Sequence, residues 1–95
     1  MKEQSGPQIG QLVKVLRGKG EDGYAVIVAI VDERFVMIAD GHKRRFDGPK
    51  KKNVLHLELQ TAVSREVRDS LLETGRVTNA KLRYAIQKFA QMKGE

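Results

Sequence analysis

No cysteine occurs in the 95 residues, which rules out disulfide staples, thiolate zinc sites, iron–sulfur ligation and a cysteine nucleophile. The fold has to hold by packing alone. Aromatic residues are 5% of the chain and mean hydropathy is -0.46, so the core is modest. No apolar run reaches the roughly 20 residues that a membrane span requires. The start Met1-Lys2-Glu3-Gln4-Ser5-Gly6-Pro7 contains no hydrophobic segment for secretion. The expectation is a soluble cytoplasmic protein with no membrane partner.

What the sequence has is an ordinary globular balance, 40% hydrophobic and 32% charged, in a chain short enough for one core. Lysine and arginine number 18 against 12 acids, a net charge of +6, so the molecule attracts polyanions at neutral pH. The charge is concentrated. Between His42 and Asn53 stand Lys43, Arg44, Arg45, Lys50, Lys51 and Lys52, six basic residues against the one acid Asp47. The acidic pairs Glu21-Asp22 and Asp32-Glu33 fall in segments that read as turns.

Residues 12–16, 24–31 and 35–39 are rich in β-branched and aromatic side chains and are bounded by turn formers, which predicts three strands. Asp40-Gly41 is a two-residue hairpin signal, so residues 43–46 are expected to return as a fourth strand that Gly48-Pro49 ends. Residues 54–57 then close the set as a short fifth strand. Short strands with no helix between them favour a small five-stranded antiparallel barrel. The nearly continuous apolar stretch from Tyr24 to Val31 predicts a strand covered on both faces, with the chain after Gln60 as the cover.

Past residue 60 the period becomes helical, with Val63, Val67 and Leu71 on one face, Ser64 as cap and Gly75 as stop. A second helix opens near Thr78 or Asn79. Leu82, Ala85, Ile86, Phe89 and Met92 line its apolar face, and Lys81, Tyr84, Lys88 and Gln91 face solvent. The expected organisation is a flexible segment 1–8, a barrel over 9–60 and a helical extension over 61–95 that packs on it.

The basic segment can bind phosphates with release of counterions; the alternative is a solvated face that serves solubility. Alternation puts Lys43 and Arg45 on one face and Arg44 with Phe46 on the other, which sets Arg44 at the core rim. The loop from Arg17 to Gly23 contains three glycines whose amides could meet phosphate beside Arg17 and Lys19. Glu21 and Asp22 oppose that use, and a plain hairpin loop fits as well.

His42 and His56 lack metal-site spacing. His56, between two leucines, reads as a packed residue. Ser64, Ser70 and the scattered carboxylates form no recognisable triad or acid pair, so the expectation is a non-enzymatic protein with no metal and no cofactor. Tyr24, Phe35, Phe46 and Phe89 lie in apolar patterns, leaving Tyr84 exposed. One exposed tyrosine is a poor stacking platform, which favours structured RNA, recognised through backbone and shape, over splayed single strands.

The run Gly10-Gln11-Leu12-Val13-Lys14-Val15 through Gly20 to Val26 resembles the KOW motif, a strand, a glycine-bearing loop and a second strand. The continuation Ala39-Asp40-Gly41, Arg44, Pro49-Lys50-Lys51-Lys52-Asn53 and His56-Leu57 resembles the small KOW-carrying large-subunit ribosomal proteins of archaea and eukaryotes and their stand-alone bacterial relatives. The resemblance covers residues 9 to 60. It implies an SH3-like barrel that binds ribosomal or other structured RNA. Gly20 would be its motif glycine, Asp22 its loop aspartate, Arg44 its strand arginine, and Lys50, Lys51 and Lys52 its basic loop. Glu21 departs from the pattern, since related sequences often have arginine there, and this shifts the expected contact to residues 43 to 53. Thr78-Asn79-Ala80-Lys81-Leu82-Arg83 also resembles the tail of bacterial relatives.

The sequence thus points to an RNA-binding protein of the ribosome or its assembly, with Arg17, Lys19, Lys43, Arg44, Arg45, Lys50, Lys51, Lys52 and Asn53 as contacts and ribosomal proteins as further partners. The alternative is an adaptor whose barrel or tail helices dock a protein in transcription or translation.

Overall fold

The computed structural model describes residues 6–16 and 23–92. Five strands, β1 (Gln11–Val15), β2 (Tyr24–Ile30), β3 (Phe35–Ala39), β4 (Lys50–Asn53) and β5 (Leu57–Val63), precede the helices α1 (Arg65–Thr74) and α2 (Asn79–Met92). The strands form one sheet in the order β4-β3-β2-β1-β5, and every neighbouring pair is antiparallel. The expected architecture, mainly β with a helical tail, is the one observed.

Period-two alternation sorts the apolar side chains onto two faces. Val13 and Val15 of β1, Ala25 and Ile27 of β2, Val36 and Ile38 of β3, and Leu57 share one buried cluster. No residue of α1 or α2 is in it, and Val54 and Leu59 pack at its margin. Leu12, Val26, Val28 and Ala39 face the other way and are sealed by Val67 of α1, Val77 of the linker, and Leu82, Ala85 and Phe89 of α2. β2 is therefore buried on both faces, as its apolar run predicts. Burying a side chain such as Val or Leu is worth about 1.5–3 kcal/mol, so the helices are integral to this core. The Tyr24 and Phe89 rings meet edge to face at 5.3 Å.

The helix signals act as read. Ser64 Oγ accepts the Val67 amide, Gly75 ends α1, and Thr78 Oγ1 accepts the Lys81 amide at the start of α2. Leu82, Ala85 and Phe89 are buried, whereas Met92 stays 74% exposed beyond the end of the covered stripe. Val63 belongs to β5 rather than to the first helix.

Two glycines with positive φ are where the helices touch down. A Cβ on Gly10 (φ 86°) would lie 2.9 Å from Arg68 Cβ, and one on Gly41 (φ 83°) 2.5 Å from the Asn79 carbonyl oxygen. Only glycine allows both the backbone conformation and the approach.

The last two strands differ from expectation. Residues 43–46 are not a strand: Asp40 Oδ1 accepts the amides of His42 (2.8 Å) and Arg44 (3.0 Å), and the Asp40 and Gly41 amides donate to the Arg44 carbonyl. These bonds close a compact turn over 40–44 where a two-residue hairpin was expected. The fourth strand instead begins after Pro49, at a position where proline is tolerated. Residues 54–56 form a single 3₁₀ turn because Asn53 Oδ1 accepts the Leu55 amide, and this turn carries the chain from one sheet edge to the other before β5.

Candidate nucleic-acid interface

The cations occupy the loop 40–49 and the edge strand it leads into. Lys43 and Arg45 are exposed, while Arg44 and Phe46 are half-buried. The inward and outward pattern expected for a strand thus survives without the strand. The loop is fixed from below by a remote element: Phe46 N donates to Asn79 Oδ1 (2.7 Å), and Arg83 Nη1 donates to the Gly41 carbonyl (2.8 Å). Lys43 and Arg45 therefore project from a braced support, which lowers the ordering cost of binding.

The lysine triplet does not form one face. Lys50 and Lys52 pair with Ile38 and Val36, whose side chains enter the cluster that the helices do not cover, while Lys51 pairs with Met37 on the helix-covered face. Lys50 and Lys52 are half-buried on the face of Ile38 and Val36. Lys51 is exposed, with its ammonium 4.7 Å from the centre of the Phe35 ring, a contact worth about 0.5–1 kcal/mol at an exposed site. Asn53 is spent on the 3₁₀ turn, so its side chain acts in the fold. Arg17 and Lys19, with most of the glycine loop, lie outside the described residues.

Beside Lys51, the turn at 32–35 is organised by Asp32, whose Oδ1 accepts the amides of Arg34 (2.8 Å) and Phe35 (2.9 Å). These bonds, and the nearby charges of Lys51 and Arg34, hold its carboxyl below the usual aspartate range. His56, expected to pack, is exposed at the end of the 3₁₀ turn, where its carbonyl accepts the Leu16 amide. Leu55 at that turn is 81% exposed and Leu16 54%. Among the described residues no group of three His, Cys, Asp or Glu side chains could hold a metal ion, and no helix is long and apolar enough to cross a membrane.

Asn79 and Arg83 are the residues of this site that charge counting misses. Their signal in the sequence is the run 78–83, whose part in bracing the loop depends on residues 33 and 42 positions away.

No protein family model matches the chain. A protein of Bacillus subtilis (strain 168), named "Putative ribosome-binding protein YbzG", is 51% identical over 71 residues, which cover 75% of this chain and 96% of that relative.

Proposed function

The chain belongs to the family of the Bacillus subtilis protein YbzG, and from that premise we propose that it is a non-enzymatic, ribosome-associated protein that recognises structured RNA through phosphate contacts. The observation that carries this reading is the loop 40–49, braced from α2, which exposes Lys43 and Arg45 and leads into the edge strand that carries the exposed Lys51. Helix-held cations of this kind suit the backbone of folded RNA, where phosphates are fixed in space. Arg44, Lys50 and Lys52 contribute from the rim, and the KOW resemblance supports the same use of the segment.

The test is the affinity for protein-free ribosomal RNA as a function of salt. With about three to five phosphate contacts, affinity falls by about two to four orders of magnitude over a tenfold rise in salt. Lys43→Ala, Arg45→Ala and Lys51→Ala combined flatten that slope by about three contacts and weaken every RNA alike. Failure of the wild-type protein to bind ribosomal RNA in dilute buffer would overturn the reading.

The exposed Leu16 and Leu55, joined through the Leu16 amide and the carbonyl of His56, favour a second contact of protein type. A ribosomal protein is the partner this reading names. Association with ribosomal protein that survives nuclease treatment and is lost in Leu55→Ser would support it.

A further inference from the structure

Phosphate contacts position a protein on RNA but carry no sequence information. An open recess of about 510 Å³ lies where the loop 40–49 meets α2, lined by Tyr24, Asp40, His42, Arg83, Ile86 and Gln87. Its volume is in the range of small-molecule sites. We infer that this recess receives one unpaired nucleobase of the bound RNA; the inference rests on the RNA-binding reading and deepens it.

Three observations select a base. First, the lining combines apolar surface from Tyr24 and Ile86 with the hydrogen-bonding groups of Gln87, Arg83 and His42, the mixture a heterocycle with polar edges requires. Second, Asp40 stands in the lining, and a carboxylate there disfavours a phosphate while leaving a neutral base unaffected. Third, the walls are already in place. Tyr24 is held edge to face against Phe89, Arg83 is tied to the Gly41 carbonyl, and Asp40 is fixed by the amides of His42 and Arg44. Lys43 and Arg45 follow directly in the same loop, so a strand whose phosphates they hold passes the mouth of the recess. Gln87 is the residue assigned to the base edge, since its amide both donates and accepts.

The test titrates the isotopically labelled full-length protein with millimolar adenosine, guanosine, cytidine or uridine monophosphate, followed by NMR, with ribose 5-phosphate as the control. The expected result is base-dependent shifts at Tyr24, Ile86 and the Gln87 side-chain amide that ribose 5-phosphate does not produce and Gln87→Ala abolishes. Gln87 is exposed, so the variant keeps the fold, which the same spectra verify. In ribosomal RNA binding, Gln87→Ala costs about tenfold in affinity with an unchanged salt slope. Equal shifts with ribose 5-phosphate, absence of shifts at the recess, or shifts that persist in Gln87→Ala would overturn the subsite. Loss of wild-type binding to ribosomal RNA would instead overturn the RNA reading, and the mononucleotide titration decides the subsite on its own.

Discussion

Gly41 combines a left-handed backbone with the closest approach between the loop and α2, so substituting it tests the join between framework and site. Ala at this position bears a backbone cost of about 1–3 kcal/mol and drives its Cβ into the Asn79 carbonyl oxygen, which is not a flexible partner. Gly41→Ala should therefore lower stability by at least that amount in urea unfolding. A change below about 0.5 kcal/mol, typical of neutral surface positions, would mean that the helix start moves freely. Asp32 is a second test at this scale. Its carboxyl is held low by two backbone amides, so the stabilisation it gives is present above the unfolded-state pKa of about 3.9 and is lost as pH falls through the lower folded value. The urea midpoints of wild type and Asp32→Ala should differ at neutral pH and converge on acidification below about pH 4. A gap that stays constant to low pH would assign the turn to something other than the charged carboxylate.

At the scale of elements, α2 does two jobs: its buried face seals the sheet and its first turns brace the basic loop. Asn79 separates the two. Asn79→Ala leaves the half-buried Phe46 amide without its acceptor, at a cost of about 1–3 kcal/mol, and should speed hydrogen exchange at Phe46 well before it does so in β2. Affinity for ribosomal RNA should fall with the salt slope unchanged, because no phosphate contact is removed. A flattened slope would instead make Asn79 a contact residue. This division explains what was legible. β1, β2, β3 and the caps at Ser64 and Gly75 are specified by neighbours in sequence, and local reading found them. The path from Asp40 to Val63 depends on the Asp40 side chain closing its own turn and on Asn79 and Arg83, 33 and 42 residues away from their partners. A hairpin signal evaluated within four residues contains none of that. The consequence reaches the site: with β4 starting at Lys50, alternation turns Lys51 away from Lys50 and Lys52, and the triplet lies on an edge strand rather than in the basic loop that the resemblance implies.

Over the whole molecule, the net charge of +6 poses a choice between a diffuse attraction and a directed one, and two double variants of equal charge distinguish them. Lys43→Glu with Arg45→Glu, and Arg65→Glu with Lys88→Glu, each lower the net charge by four, to +2. All four side chains are exposed. Arg65 and Lys88 line the groove between the start of α1 and the end of α2, whereas the loop 40–49 meets α2 at a separate recess beside Arg83. Near 0.1 M salt an exposed charge acts on a phosphate mainly within about 10 Å, so a directed site responds to the pair that contacts the RNA and hardly to the second. The loop pair should abolish measurable binding to ribosomal RNA near physiological salt and, in dilute buffer, reduce the salt slope by about two contacts. The groove pair should change affinity by less than about threefold with the slope intact, since it alters only the weak long-range field. Equal losses for both would mean that the fold carries its charge as a cloud and that the braced loop confers no advantage in meeting RNA.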